Sequence, residues 1–181
     1  MKLRMWLCLI AAVLCVACAH AGGKPALSFN VAVPEGWKQI DTDEPMLFIT
    51  KDGGYKQFVL IRERPLSQPF HFSQKVMHAG TMPEEAAEIV VHELLSDTNI
   101  RNFSLLENIP ARIDGRRGFR LNFIYTDADG FLFKTLYFGF IEGNTFYNIR
   151  FAATQEEYYQ KDLVTFEKVV ESFKLVTAKA P

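Results

Sequence analysis

Leu27, Phe29, Val31 and Val33 alternate with Ser28, Asn30 and Ala32. That period of two is the mark of a half-buried strand, and Pro34-Glu35-Gly36 closes it with a turn. Residues 37–40 and 46–50 predict two short strands separated by 41–45. Lys51-Asp52-Gly53-Gly54 then predicts a hairpin turn leading into a longer strand over 55–64. Pro65 and Pro69 break the pattern, because proline cannot donate to a strand ladder.

The period changes at residues 82–97, which predict a helix. Ala86, Val90 and Leu94 share a face with Ala87, Val91 and Leu95, while Glu84, Glu85, Glu88 and Glu93 fall largely elsewhere. Thr81 and Glu84 have the spacing of a capping box, and Pro83 is tolerated in the first turn. Strand patterns return over 103–107, 111–114, 118–126, 131–141 and 145–153. Gly115, Asp127-Ala128-Asp129-Gly130 and Glu142-Gly143-Asn144 supply the turns. Thr154 and Glu157 have the spacing to cap a closing helix that runs to about Ser172, with Leu163, Phe166, Val169, Val170 and Phe173 on its apolar face. Strands joined by short turns, without regular β-α-β alternation, predict an α+β domain with a central antiparallel sheet flanked by helices, an α/β/α sandwich.

The N-terminus changes where this domain is expected to work. Lys2 and Arg4 precede an uncharged stretch from Met5 to Ala17, and small residues follow. This is the order of a bacterial signal segment, read as residues 1–21. The apolar stretch falls short of the roughly 20 residues that a permanent span requires. Two cleavages compete. Cys15-Val16-Ala17-Cys18 resembles a lipobox, with cleavage before Cys18 and lipid on its sulfur, although Cys15 stands where Leu is usual. Ala19-His20-Ala21 before Gly22 offers ordinary cleavage after Ala21. The lipobox is the favoured reading, and it makes the membrane a partner through the anchor at Cys18. With Ala19 and His20 after that cysteine, an outer-membrane position facing the periplasm is expected; otherwise the protein is soluble in the periplasm or secreted. Residues 22–26 form a short linker and 27–177 a single α+β domain.

All three cysteines, Cys8, Cys15 and Cys18, lie in the signal segment. The domain that follows therefore lacks disulfides, thiolate metal sites and cysteine nucleophiles. Of the 20 basic residues, Lys2 and Arg4 sit in the leader, so the remainder carries 18 against 21 acidic side chains, a net charge of −3. That balance gives no reason to expect nucleic acid as a partner.

Particular residues along the domain carry a family likeness. Pro34-Glu35-Gly36-Trp37 follows the first strand, Ile113-Asp114-Gly115 opens a run of hairpins, Phe146 to Ala153 forms an aromatic strand, and Phe166 through Glu171-Ser172-Phe173 closes the chain. In this order the chain resembles the PsbP-like superfamily, including DcrB-like bacterial envelope lipoproteins. The resemblance implies an antiparallel sheet sandwiched by helices. It also implies a binding or assembly role rather than an enzymatic one, as in an extrinsic photosystem subunit, a Ran-binding import factor and envelope lipoproteins. It carries over no active site and no cofactor. Burial preferences read Trp37 as a core lid, Gly115 as a turn and Phe173 as a core anchor.

Candidate chemistry is sparse. His71, His78 and His92 are the histidines of the domain, with Glu88 one helical turn before His92. They mark the alternative reading, a small-ligand, lipid-binding or hydrolytic cleft, but they lack the close ligand pairing of a zinc site. Asp127-x-Asp129-Gly130 opens like a calcium loop, yet Leu136 stands where the bidentate Glu belongs. No nucleophile elbow or phosphate loop is present, so no catalytic residue, metal ligand or cofactor is assigned. Arg101, Arg112, Arg116, Arg117 and Arg120 form one local charge bias. Arg116, Arg117 and Arg120 are the candidate residues for gripping an acidic protein partner or phosphate-bearing lipid headgroups. The preferred reading is an edge hairpin protected by charge, with Glu107 and Asp114 as local partners. Finally, 16 Phe are present, and residues 131–140 are apolar on both faces. Helices covering both faces are the preferred reading, and an exposed groove is the other.

Overall fold

The computed structural model describes residues 26–154 and 156–176. The signal segment, including Cys18 and both cleavage sites, lies outside the described residues, as does most of the linker. Eleven elements follow in chain order: β1 (Phe29–Asn30), β2 (Lys38–Ile40), β3 (Met46–Thr50), β4 (Gln57–Pro65), α1 (Pro83–Ser96), β5 (Arg101–Ile113), β6 (Arg116–Thr126), β7 (Leu132–Glu142), β8 (Thr145–Ala153), α2 (Glu156–Ser172) and β9 (Lys174–Leu175). Seven strands form one antiparallel sheet in the order β2-β3-β4-β8-β7-β6-β5, and β1 pairs with β9 in a small separate ladder. The expected first strand over 27–33 shrinks to two paired residues, because its partner is a C-terminal strand that the sequence pattern did not reveal.

Alternation along each strand divides the core into two halves. Leu47 and Ile49 of β3, Val59 and Ile61 of β4, Leu136 and Phe140 of β7, and Ile149 and Phe151 of β8 join Phe166, Val169 and Phe173 in one cluster. Phe119, Leu121 and Phe123 of β6, Phe133 and Tyr137 of β7, and Phe146 of β8 join Ala86, Ala87, Ile89, Val90 and Leu94 of α1 in the other. Successive strand residues point to opposite faces, so α1 and α2 lie on opposite sides of the sheet. Trp37 and Phe173 are buried in the α2 cluster, as their apolar bulk predicts. Coverage is partial: α1 packs on β5, β6 and β7, while α2 packs on β8 and β4.

Several expected boundaries move for physical reasons. Residues 103–107 and 111–114 are not two strands but parts of one, β5, which runs through Pro110. The merger is possible because β5 is an edge strand, where a missing donor can face solvent. Register shifts between Arg101 and Ser104, and between Leu105 and Glu107, interrupt its ladder with β6, a device that blunts an exposed edge. The capping box at Thr81 does not form. Met82 is the N-cap residue and makes no side-chain cap bond, because the Thr81 hydroxyl accepts the His78 amide instead, at 2.9 Å. The helical stripe also rotates, so that Ile89 turns inward and Leu95 is 62 % exposed. At the second helix the Thr154 hydroxyl donates to the Lys56 carbonyl, at 3.3 Å, and the Glu157 side chain of that expected cap lies outside what the structure describes.

A buried polar tie fixes α2. Asp162, 1 % exposed, accepts from Gln57 Nε2 at 3.1 Å and lies 3.5 Å from Lys51 Nζ. The same Gln57 nitrogen donates to Asp52 at 2.9 Å, and that bond holds the Asp52 carboxyl below its usual range. The turn between β3 and β4 is thereby stitched to the helix above it.

Candidate functional site

The α1 face is finished on one side only. Beyond the strands under α1, cross-strand pairing aligns Ile40 of β2 with Phe48, Phe48 with Leu60, Leu60 with Arg150, and Arg150 with Tyr137. Tyr137 is buried beneath α1, whereas Arg150, Leu60 and Phe48 are half-buried and Ile40 is 45 % exposed. Arg62 and Arg64 continue the same face of β4, two and four residues beyond Leu60.

A cleft of about 740 Å³ opens on this floor. Its lining includes Arg62 and Arg64, Glu44 from the turn before β3, His71 and Phe72 from the loop after β4, and Glu93 from α1. The loop is held from two sides. Arg64 donates to the carbonyls of Gln68 and Pro69, both at 2.7 Å, and its guanidinium lies 3.9 Å from the centre of the Phe70 ring. Glu93 accepts the amides of Phe72 at 3.1 Å and Ser73 at 2.7 Å. Burial pushes the Glu93 carboxyl up, but those amides outweigh it and hold it below its ordinary value.

The arginines differ in what balances them. Arg62 forms an ion pair with Glu44. Arg64 spends its donors on neutral carbonyls, and burial pushes its guanidinium down. Arg150 donates from Nη2 to the Tyr125 hydroxyl at 2.5 Å and lies 5.4 Å from the ring centres of both Phe58 and Tyr125. Its Nε is buried without an acceptor. Burial pushes the Tyr137 phenol up, so it stays neutral beside these cations, which act in the opposite direction. Among the described residues, neither Arg64 nor Arg150 is paired with a carboxylate.

The residues singled out from sequence are dispersed around the fold. Of the three histidines, His71 alone borders the cleft. His78 lies in the turn bonded by Thr81, and His92 is exposed on α1 beside Ser96. Among the described residues no group of three His, Cys, Asp or Glu side chains is arranged to hold a metal. Asp127 closes a plain turn by accepting the amides of Asp129 and Phe131. In the arginine hairpin, Arg120 meets Glu107 at 2.7 Å, Arg116 meets Asp114 at 2.7 Å, and Arg112 donates to the Gly115 carbonyl at 3.0 Å. Gly115 itself has φ +77°, the left-handed turn conformation that glycine adopts freely. Arg117 is exposed in a shallow groove beside Pro83, Glu84 and Pro110.

No protein-family model matches the sequence, and no curated protein matches it. Solved structures do. PsbP (CyanoP) of Synechocystis sp. PCC 6803 is 12% identical, with a TM-score of 0.55 over 82% of this chain and 86% of that one. The fold is PsbP-like. The Ran-binding protein Mog1p of Saccharomyces cerevisiae is 9% identical, with a TM-score of 0.55 over 82% and 90% of the two chains. LpqN of Mycobacterium tuberculosis, a protein involved in cell envelope biogenesis, is 13% identical, with a TM-score of 0.53 over 86% and 88%. At these identities the likeness is one of fold. Among the described residues, no helix is long and apolar enough to cross a membrane.

Proposed function

We propose that the protein is a non-enzymatic binding module of the bacterial cell envelope, held at a membrane by lipid on Cys18, and that the arginine-floored strip is its partner face. One observation carries this reading. The same strands that are sealed under α2 leave half-buried Phe48, Leu60, Arg62 and Arg150 uncovered on the other face. Apolar and cationic groups are held ready there at a cost in hydration that a partner would recover. Two proteins of similar fold support this reading: one is a Ran-binding protein and the other is involved in cell envelope biogenesis.

Site-specific photocrosslinking in cells tests the face. A crosslinker replacing Leu60 is expected to yield a discrete adduct, and one replacing Lys168, exposed on α2, is not. Equal labelling at both positions, or none at 60, overturns the assignment. Intact mass of the membrane-extracted protein tests the anchor: a lipidated Cys18 terminus supports it, and an unmodified Gly22 terminus refutes it.

A further inference from the structure

Resting on the reading of this strip as a partner face, we infer that its occupant is an acidic amphipathic helix of a partner protein, with a carboxylate seated at Arg150. The dimensions come first. The strip spans β2, β3, β4 and β8, and strands spaced by about 4.8 Å make that roughly 14 Å from edge to edge. One helix with its side chains is about 10–12 Å across. Helix α1 already covers the adjoining β6 and β7, so a second helix laid beside it would complete the layer at ordinary interaxial spacing.

The chemistry of the floor selects the sequence of that helix. Ile40, Phe48 and Leu60 form an apolar row across the strip that would meet the apolar face of that helix. Arg150 ends the row, 5.4 Å from the centres of both the Phe58 and Tyr125 rings, with Nη2 bonded to the Tyr125 hydroxyl and no carboxylate paired with it among the described residues. A guanidinium fixed in this way is preorganised for a carboxylate. Arg62 takes Glu44 from the protein's own turn, which shows that the floor accepts carboxylates from above. The cleft takes in only the Arg62–Arg64 end of the strip, while Ile40, Phe48, Leu60 and Arg150 lie outside its lining, so a small molecule seated in it would leave the apolar row uncovered. A helix of a protein therefore fits better than a free anion.

The test uses the full-length protein and a synthetic amphipathic peptide of about 18 residues, roughly 27 Å long, with Leu on one face and two central Glu. Binding is followed by fluorescence anisotropy and by amide chemical shifts, beside a counterpart peptide with Lys in place of both Glu. The acidic peptide is expected to bind at least about tenfold more tightly than the Lys counterpart. Its binding is expected to shift amides of β3, β4 and β8. Arg150→Gln and Leu60→Glu are each expected to weaken it about tenfold or more, while Arg117→Gln leaves it unchanged. Leu60 is partly exposed, so Leu60→Glu still gives an answer if Arg150→Gln does not fold.

Equal affinity for the two peptides overturns the inference, as does a loss that follows Arg117→Gln rather than Arg150→Gln. Self-association abolished by Leu60→Glu would identify a second copy as the occupant and overturn it too. So would binding to phosphatidylglycerol vesicles that is lost in the same variants. A discrete crosslink at position 60 combined with failure of the acidic peptide refutes the helix while leaving the partner face standing.

Discussion

Under α2, Val59 and Ile61 of β4 and Ile149 and Phe151 of β8 are at most 1 % exposed, while on the opposite face the intervening Leu60, Arg62 and Arg150 stay half-buried. The strands are the same and the side chains alternate, so the difference comes from the layer above them. On the α2 side, Phe166 and Phe173 from the C-terminal segment close a dry aromatic core, with Phe151 and Phe166 stacked at 5.3 Å and Phe29 and Phe173 at 5.3 Å. On the α1 side the single helix reaches only as far as β7, and the loop after β4 covers one end of the rest. A sheet with one sealed face gains its stability there. It can leave part of the other face for recognition, where cations and apolar groups stand together.

The largest effect should come from the sealed face. Phe166→Ala is expected to lower stability by about 3–5 kcal/mol in urea denaturation, because Phe166 is 0 % exposed. Leu60→Ala, on the open strip, should cost less, about 1–2 kcal/mol, since part of that side chain stays in contact with water. Equal losses would break the contrast between the faces. Next, Gly139→Ala should cost about 1–3 kcal/mol through overpacking. A Cβ there would stand 2.4 Å from Phe119 Cζ, so this change measures how tightly the α1 face is filled where the helix does lie. A loss near zero would mean that even the covered half is loosely packed.

Smaller effects should appear at the rim of the cleft. Glu93→Gln weakens the clamp on the loop after β4, and amide exchange at Phe72 and Ser73 should speed up about fivefold, equivalent to about 1 kcal/mol. Unchanged exchange would show that Arg64 alone holds the loop. The pH dependence has a definite sign. The Glu93 carboxyl is held below its ordinary value in the folded protein, so its contribution is complete above the unfolded pKa of about 4.3. It is lost as pH falls through the lowered folded value. Loss of protection at Phe72 and Ser73 should therefore begin only below about pH 4.3; loss that starts near neutrality would assign the clamp to another group.

Much of the local structure was legible because its causes are local. The expected strands over 46–50 and 145–153 match β3 and β8 residue for residue, since both combine apolar runs with turn residues at each end. Gly115, Gly130 and Gly143 each adopt positive φ in the expected turns. What escaped depends on partners distant in the chain. Two-residue β1 exists only through β9, and β5 continues through Pro110 only because nothing pairs on its outer edge. The arginine floor was missed for the same reason: Arg62 and Arg150 come together through the β4–β8 pairing. A signal was present, because Arg62 and Arg64 interrupt the apolar stripe begun by Phe58 and Leu60, and Arg150 interrupts an otherwise apolar strand. Charges placed where alternation calls for apolar groups mark a face that is not fully covered. The run at 112–120 is more conspicuous in the sequence, but its Arg116 and Arg120 have carboxylate partners of their own.

The periods of two and 3.6 in the chain determined which segments are strands and which are helices, and turn chemistry determined where hairpins reverse. Both act through contacts a few residues apart, so a sequence window contains their cause. Which face is sealed, and which four strands are left open between α1 and the sheet edge, was decided only by tertiary structure. That outcome depends on the lengths and positions of two helices laid across strands drawn from distant parts of the chain. It is also what turned Arg150 from one residue in an aromatic strand into the end of an apolar row.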